Sequence, residues 1–357
     1  SGPLANHTLL QTKFSQDGSQ ARGTLNNCGN GYTPWGTYLT CEENWPGYFV
    51  NTGVRTEEQE RIGVSTTGTR YGWDTLSGNN EERADEFSRF NVTESGASAL
   101  DDYRNEANGH GYIVEIDPYT QNSRAKKRTA LGRFRHEGCT FGKLTEGQPI
   151  VFYSGHDSRF EYLYKFVSEA LWDSADASPE NRLITGDKYM DAGTLYVAKF
   201  DEDGSGQWLP LTMESSTVSG GTLAETFGSL PEIILNTAGA ADLLGATPMD
   251  RPEWCAVDPT TGSVYLTLTN NTKRTEDQTD AANPRAINKF GHVIRWDEGA
   301  TATEFEWDIF VFGSPADGDP EESNRSGLDD LNQFASPDGL AFDGRGILWI
   351  QTDNGAS

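Results

Sequence analysis

The chain has few basic residues and no long apolar segment, and each shortage excludes a class of protein. Its 357 residues carry 28 Lys and Arg against 54 Asp and Glu, for a formal net charge of −26. A nucleic acid polymer is therefore not expected as a partner, because proteins that bind DNA or RNA need a cationic surface. No run of about 18 apolar residues occurs, so the sequence predicts no membrane-spanning helix.

Cysteine is also scarce, and the histidines show no zinc-ligand spacing such as His-Glu-x-x-His. Four cysteines allow two disulfides, and whether Cys139 pairs with Cys255 is left open. For three of the four we expect a buried thiol in a core strand. The cysteines, which lack zinc-ribbon spacing, are Cys28, Cys41, Cys139 and Cys255.

Glycine and aromatic residues are plentiful, whereas helical periodicity is scarce. The chain has 39 Gly, 17 Phe, 13 Tyr and 9 Trp. At roughly 100–200 residues per domain this length suggests two or three domains, but propellers are an exception. We predict one all-β domain over residues 1–357, with a polar insertion at about 55–108. The charged runs 57–61 and 79–83 of this insertion are expected to be solvated, with short helices among them.

One type of hairpin recurs along the chain. Each copy has a strand, a turn led by Asp and containing Gly, and a second strand, as at 254–268 and 337–350. Further strands are predicted over 111–116, 150–157, 162–167 and 193–200. The acidic turn at 201–204 resembles the start of an EF-hand loop, but its spacing fails, so we interpret it as a hairpin tip. Recurrence at irregular intervals favours a decorated β-propeller over a sandwich.

The stretch 26–45 is the centre of the sequence's chemistry. Cys28 precedes a short strand predicted over 35–40, and Glu42 and Glu43 follow it. A thiol and carboxylates at strand ends can converge on one hard cation or on a mixed pair of metals. The alternative is a half-buried cysteine beside a solvated acidic pair, and composition alone does not decide. Side-chain alternation lets only one of Glu42 and Glu43 point inward.

Arginine and glutamate stand together at two predicted strand starts, within 133–138 and at Arg251-Pro252-Glu253. Such a pair is ordinarily a surface ion pair that contributes about 0–1 kcal/mol. Here Pro252 restrains the backbone, so the arginine could grip a phosphate while the glutamate binds a metal. Carboxylates at predicted strand ends, which a propeller would bring together near its axis, are Glu42, Glu43, Glu137, Glu253, Asp338 and Asp353.

Taken in order along the chain, the sequence segments described above and several others resemble those of the PhoX family of alkaline phosphatases. The resemblance covers most of the chain, at the stretch around Cys28 and at 164–167, 193–201, 251–254, 283–296, 336–339 and 349–353. It implies a six-bladed β-propeller and a phosphomonoesterase that uses Fe(3+) and Ca(2+), with a metal-bound oxo or hydroxo group as nucleophile. It also implies export to the periplasm or the medium by the twin-arginine route.

The resemblance further implies a role for each candidate residue. Cys28 would be the iron-bound thiolate, with Glu43 and Glu137 as bridging or calcium-side carboxylates. Arg251 would grip the substrate phosphate, and Arg22 is a further candidate for the catalytic site. The metal ligands so implied are Cys28, Glu43, Glu137, Glu253, Asp338 and Asp353, with Glu42 as an additional candidate.

Two other functions remain open on the residues alone. One is a calcium-stabilised propeller that binds a ligand without catalysis, and the other is a calcium-dependent propeller esterase or lactonase. A purely calcium-binding module has no use for a thiolate at Cys28, and a neutral ester needs no guanidinium at Arg251. A phosphatase acting on phosphate monoesters is therefore preferred, and we expect separately that the protein is a monomer.

The first and last residues of the sequence bear on whether it is part of a longer chain. The chain begins at Ser1 without Met, as a processed or tagged chain does, so a signal peptide could have been removed. The family resemblance implies further blade strands after 349–353, whereas this chain stops at Ser357. We expect either a propeller that closes differently or a piece of a longer chain, in which missing strands would leave exposed sheet edges.

Overall fold

The computed structural model describes residues 1–76 and 86–353, and β-strands dominate it, as predicted. The charged run 79–83 lies outside the described residues. The described α-helices are α1 Glu57–Ile62, α2 Arg182–Met190, α3 Leu223–Phe227, α4 Leu230–Leu235 and α5 Thr237–Leu244. The described strands are β1 Asn27–Tyr32, β2 Tyr38–Glu42, β3 Ile113–Ile116, β4 Lys126–Lys127, β5 Thr140–Phe141, β6 Pro149–Gly155, β7 Arg159–Glu161, β8 Leu163–Leu171, β9 Gly193–Phe200, β10 Ser205–Pro210, β11 Met249–Asp250, β12 Pro252–Val257, β13 Val264–Leu268, β14 His292–Glu298, β15 Glu304–Phe312, β16 Pro337–Phe342 and β17 Leu348–Thr352.

Antiparallel pairing joins these strands into four sheets within the described residues. The sheet orders are β1-β2-β3-β4, β12-β13-β14-β15-β10-β9-β8-β6-β5, β11-β7 and β16-β17. The two ends of the nine-stranded sheet approach each other, because a Cβ on Gly155 would lie 2.4 Å from the carbonyl oxygens of Pro252 and Glu253. The result is a nearly closed, barrel-like arrangement. Six blades stay a prediction.

The predicted hairpins at 254–268 and 337–350 are confirmed as β12–β13 and β16–β17. Asp258 holds the first turn, since its side chain accepts from Thr260 N at 2.7 Å and its carbonyl from Gly262 N at 2.9 Å. The strand expected at 35–40 instead begins at Tyr38, because Gly36 adopts φ 83° in the preceding turn. Residues 201–204 form the hairpin tip between β9 and β10, as predicted.

Aromatic side chains fill the core between the sheets. Trp35 stacks on Tyr189 with ring centroids 5.4 Å apart, and Trp208 lies 4.9 Å from Phe305 in a second cluster. Burial of rings of this size dominates the hydrophobic stabilisation of a fold and fixes how the sheets pack. Among the described residues, no helix is both long enough and apolar enough to cross a bilayer.

The polar insertion has a small core, where Ile62, Phe90 and Val92 pack with Trp45 and Phe49. Helix α1 bears out the expectation of short helices. The expectation of solvated charges in 57–61 is wrong for Arg61, which pairs with Glu161 and Asp242. The reason is packing, because a guanidinium brought against the body of the protein needs acidic partners. The division of the chain into domains stays a prediction.

Candidate metal centre

Four hairpins share one irregularity near the start of their first strand. One extra residue in that strand opposes the second strand, which is a β-bulge, and bulges re-aim the side chains beside them. The paired residues on either side of the bulge are Asn27–Glu42 and Asn30–Thr40, His136–His156 and Thr140–Tyr153, Pro252–Leu268 and Cys255–Leu266, and Pro337–Thr352 and Leu340–Ile350.

The bulges place chemically related residues at equivalent positions. On the first strand of each hairpin, the residue that directly follows the first cross-strand pair (the opening pair) begins the bulge. In the four hairpins this residue is Cys28, Glu137, Glu253 or Asp338. On the second strand, the residue that directly follows the member of the opening pair is Glu43, Asp157, Thr269 or Asp353. Seven of these eight positions therefore carry a thiol or a carboxylate, and the four hairpins direct them to one region.

A backbone hydrogen bond of the same kind ties each pair of positions together. In each hairpin, the amide of the residue that follows the second strand's paired position donates a hydrogen bond. The acceptor is the carbonyl oxygen of the residue that precedes the first strand's opening pair. The four bonds are Glu43 N to Asn26 O at 3.1 Å, Asp157 N to Arg135 O at 3.1 Å, Thr269 N to Arg251 O at 3.2 Å and Asp353 N to Ser336 O at 2.9 Å. Asn26, Arg251 and Ser336 have φ near +50°, a strained conformation that clusters at functional sites.

Two groups of potential ligands share one carboxylate, that of Glu137. The ligand atoms of Cys28, Glu43 and Glu137 all lie within 4.8 Å of one another, and so do those of Glu137, Glu253 and Asp338. Glu137 is 2% exposed and Glu253 is 1% exposed. Each group is compact enough to hold one cation, and Glu137 could serve both.

The carboxylates of this cluster raise one another's pKa. Burial, followed by the charges of Glu43 and Asp157, raises the pKa of Glu137 to about 9. Burial and Asp157 raise the pKa of Glu43 to about 8 and that of Glu253 to about 11. Partial burial and Glu137 also raise the pKa of the Cys28 thiol. Burial of so much negative charge is unfavourable without cations, so the residues fit a metal centre.

Glu253 supplies a second observation that fits a metal. Its Oε1 is buried and accepts no hydrogen bond from the described residues. Arg251 Nη2 forms an ion pair with this oxygen at 2.9 Å, while Nε and Nη2 also donate to Asp157 at 2.8 Å each. Glu253 thus shares one guanidinium with Asp157, and a metal cation would balance the buried negative charge that remains.

Arg251 lies beside the cluster, where its side chain is 21% exposed. Two of its nitrogens are held by Asp157, and its Nη1 lies 3.8 Å from Asp353 Oδ2, beyond hydrogen-bond distance. Asp353 is itself more than half exposed. The guanidinium thus has a fixed orientation and a nitrogen that faces the open side of the cluster.

Two of the candidates are not brought to the cluster. Glu42 points away from it, as alternation along β2 requires, and is completely buried. Its side chain accepts from Leu25 N and Gly111 N at 2.9 Å each and from Lys127 Nζ at 2.8 Å. Burial opposes ionisation, but Lys127 and His110 hold the pKa of Glu42 at about 2. These donors occupy its oxygens, which makes Glu42 a structural anion.

Arg22 likewise lies among other groups. Its Nε is 3.6 Å from Glu106 Oε1, and its guanidinium lies 4.8 Å from the ring of Phe14 and 4.9 Å from that of Tyr103. None of these residues belongs to the two ligand groups. The aromatic rings and Glu106 hold Arg22 in the region of the polar insertion.

Asp157 is a site residue that the sequence did not single out, and Arg135 lies in the arginine and glutamate stretch 133–138 but was given no role of its own. Asp157 lies at the end of the strand predicted over 150–157, at the position equivalent to Glu43, and holds Arg251. Arg135 occupies the position equivalent to Arg251, and its charge acts on Asp157 and Glu43. Alignment of the four hairpins on the glycine near the end of each turn was the signal that could have found both, and these glycines are Gly36, Gly147, Gly262 and Gly346.

The cysteines behave as expected. All four are free thiols, so Cys139 and Cys255 form no disulfide in this structure. Cys41, Cys139 and Cys255 are buried, which confirms the prediction of three buried thiols. Cys28 alone is exposed and lies among the carboxylates of the cluster.

The sheets and the shared-carboxylate cluster define a propeller-like protein of a metal-dependent class. The family model described as alkaline phosphatase PhoX matches residues 1–357. The chain therefore belongs to the PhoX family, which confirms the resemblance. Comparison with curated proteins finds no match.

Among the solved structures that match this chain is one that is similar over its whole length. It is described as Pseudomonas fluorescens PhoX in complex with vanadate, a transition state analogue, and is 39% identical with a TM-score of 0.84. The match covers 100% of this chain and 60% of that one, so the chain spans three fifths of its relative's length. A PQQ-bound aldose sugar dehydrogenase from Streptomyces coelicolor, 12% identical over 93% of this chain and 75% of that one, has a TM-score of only 0.29.

Proposed function

We propose that this chain carries the active site of an alkaline phosphatase that hydrolyses phosphate monoesters to inorganic phosphate. The observation that carries the proposal is the position of Arg251 beside two ligand groups that share Glu137. Cations and a guanidinium next to one another suit a phosphoryl group, whose oxygens carry charge throughout its transfer. Family membership and the vanadate complex of the Pseudomonas fluorescens protein support the same reaction.

The donor sets favour Fe(3+) and Ca(2+) as the metals. Cys28 with Glu43 and Glu137 offers sulfur and oxygen, a mixed set that suits iron. Glu137, Glu253 and Asp338 offer oxygen alone, which suits calcium. When bound, such cations supply Lewis acidity that polarises the phosphate and activates water. Asp353, at the equivalent position of the fourth hairpin, is proposed as a further ligand.

Arg251 is proposed to bind the phosphate and to orient it. Two hydrogen bonds that the guanidinium donates to Asp157 fix its orientation before the substrate arrives, so little order has to be gained at the transition state. The open Nη1 edge can donate to a phosphate oxygen, and the fixed positive charge counters the charge on that oxygen.

The proposal extends to the setting of the protein. Family membership supports an exported protein, located in the periplasm or outside the cell, and we propose the twin-arginine route. We further propose one propeller domain over residues 1–357 with an insertion at about 55–108, acting as a monomer. Its partners would be phosphate monoesters and not nucleic acid polymers.

Hydrolysis of 4-nitrophenyl phosphate at alkaline pH by Arg251→Gln and Arg251→Lys tests the role of the guanidinium. We expect both variants to lose activity, by at least about a hundredfold for Arg251→Gln. Neither the ammonium of lysine nor the amide of glutamine can reproduce the planar, two-point guanidinium that Asp157 orients. Arg295→Gln is the matched control, since Arg295 pairs with Asp308 on the exposed face of a strand. Calcium binding without hydrolysis in the parent protein would contradict the phosphatase and indicate a binding scaffold.

A further inference from the structure

Three aromatic side chains form an open surface where the polar insertion meets the short helix that ends at Tyr48. Tyr71 and Trp73 are each 37% exposed. The Tyr48 ring lies 4.4 Å from that of Tyr71 and 5.1 Å from that of Trp73, in an edge-to-face arrangement with the latter. Trp73 also rests on the buried ring of Phe90 at 5.3 Å. The rings are therefore held rigidly from below while their outer parts face solvent.

This aromatic surface is fastened to the two chain segments that carry Cys28 and Glu43. Tyr71 Oη accepts a hydrogen bond of 3.2 Å from Asn26 Nδ2, and Asn26 precedes Cys28 by two residues. The carbonyl of Asn26 in turn accepts from Glu43 N at 3.1 Å. Because two residues span at most about 7 Å, the phenol edge lies close to the ligand cluster.

A second attachment comes from the other side. The chain runs from Glu43 directly into the short helix Trp45–Tyr48, which brings the Tyr48 ring under Tyr71 and Trp73. The amide of Arg70 donates to Gly47 O at 2.8 Å, which clamps the segment 70–73 onto this helix. The aromatic surface therefore borders the ligand cluster, because both of its attachments lie within a few residues of Cys28 and Glu43.

Arg70 adds a cation to this surface. Its guanidinium lies 5.5 Å from the centre of the Tyr71 ring, and no carboxylate of the described residues lies within salt-bridge distance of it. The side chain is exposed. In a chain of net charge −26, an arginine stacked on tyrosine and without an acidic partner among residues 1–76 and 86–353 is suited to a polar, electron-rich ring.

We propose that Tyr71 and Trp73, with Arg70, form a subsite that stacks against a planar aromatic leaving group of the phosphate ester, such as a nucleoside or an aryl alcohol. This inference rests on the proposed phosphatase function and specifies a preference within it. Stacking is tolerant of the identity of the ring, because each base or aryl group offers a π face. The subsite therefore favours a class of ester over aliphatic monoesters and does not select one compound.

The test compares kcat/KM for adenosine 5′-monophosphate and for glycerol 2-phosphate, which share the phosphoryl group and differ in the leaving group. Trp73→Ala and Tyr71→Ala are expected to lower the value for the nucleotide about tenfold and that for glycerol phosphate less than about twofold. Trp349→Ala and Tyr119→Ala are matched controls, because those rings are 58% and 72% exposed on other parts of the surface. Both controls should leave the ratio of the two substrates unchanged.

The outcomes separate the subsite from the proposed function. If the parent protein hydrolyses glycerol phosphate but the ratio is the same in Trp73→Ala and Tyr71→Ala, the subsite is wrong and the phosphatase stands. An equal loss for both substrates indicates a merely structural role and also overturns the subsite. If the parent protein hydrolyses neither ester, the phosphatase is wrong. Equilibrium dialysis of the nucleotide against the parent and Trp73→Ala then decides the subsite, which fails if both bind it equally.

Discussion

Asp157 and Arg251 form a two-point ion pair although 94 residues separate them, with Nε–Oδ1 and Nη2–Oδ2 distances of 2.8 Å. The pair links the β5–β6 hairpin to the β12–β13 hairpin beside the ligand cluster. Its geometry matches a guanidinium fork to a carboxylate, the arrangement with the greatest directional specificity among protein ion pairs. Orientation of Arg251 therefore depends on a residue outside its own hairpin.

Replacement of this carboxylate by an amide should disturb orientation more than folding. Asp157→Asn keeps the size of the side chain but loses the charge that holds two guanidinium nitrogens. We expect kcat/KM for 4-nitrophenyl phosphate to fall by about tenfold to a hundredfold, the range typical of a misplaced catalytic group. Steady-state kinetics of the purified variant measure this.

Asp343→Asn is the matched control for Asp157→Asn, because Asp343 pairs with the largely exposed Arg345. It should leave kcat/KM unchanged. Elemental analysis of Asp157→Asn gives the decisive comparison. Loss of metal from that variant would contradict the orienting role and make Asp157 a ligand.

The close approach of two bulges makes Gly29 intolerant of any side chain. A Cβ at this position would lie 1.3 Å from the carbonyl oxygen of Glu137. Gly29→Ala must therefore separate the two strands that carry Cys28 and Glu137. We expect a loss of at least about 3 kcal/mol in the free energy of unfolding, together with loss of metal.

Gly344→Ala is the control for Gly29→Ala, because no atom lies within 4 Å of a Cβ built there. Its free energy of unfolding should change by less than about 0.5 kcal/mol. Normal stability and metal content in Gly29→Ala would show that the two bulges do not meet as described.

The hairpins could be predicted because their signals are local. Alternating apolar residues, Asp-led turns and glycines lie within about 15 residues of one another, as at Asp258 and Gly262. The start of β2 was missed because Trp35 and Gly36 read as strand residues while the turn at Thr33 extends to them. A local sequence pattern does not show how many residues belong to the turn and how many to the strand that follows it.

The cluster could be predicted only in part, because its members meet through long-range pairing. Strand ends pointed to Glu43, Glu137 and Glu253, whereas Asp157 becomes significant only through Arg251. Glu42 was included because a sequence does not show which face of a strand is turned inward. Arg22 was included through the family resemblance, and its partner Glu106 lies in an insertion that has no pattern of its own.

The adjacent residues Glu42 and Glu43 should respond in opposite ways to the same substitution. Glu42→Gln leaves Lys127 and several buried donors without their anion, so we expect a loss of about 3–5 kcal/mol in the free energy of unfolding with metal content unchanged. Glu43→Gln removes a carboxylate from the cluster, so it should lose metal, while its metal-free form is at least as stable as the metal-free parent.

Denaturant unfolding and elemental analysis of the two variants check this pair of outcomes. Loss of metal from Glu42→Gln with an intact fold would show that Glu42 reaches the cluster. Full metal content in Glu43→Gln would remove Glu43 from the proposed ligands.

The stability of the metal-free protein should fall as the pH rises. Burial and neighbouring charge raise the pKa of Glu137 from 4.5 to about 9 and that of Glu43 to about 8. Between these values and 4.5 the folded protein holds protons that the unfolded chain has released. Unfolding therefore releases protons, and its free energy decreases with pH across this window.

Thermal unfolding of the chelated protein from about pH 5 to pH 9 measures this slope. Glu137→Gln should flatten it, and bound metal should do the same, because cations replace the protons. A chelated protein whose midpoint is constant or rises over this range would show that the carboxylates do not repel one another as the geometry indicates.

The most direct test of the central claim is elemental analysis of the purified protein, paired with hydrolysis of 4-nitrophenyl phosphate before and after chelation. Cys28→Ala is measured alongside, because only the proposed iron site uses a thiolate. We predict iron together with calcium in the parent protein, activity that chelation abolishes, and loss of both iron and activity in Cys28→Ala. Calcium alone without hydrolysis, or full activity in Cys28→Ala, would contradict the account.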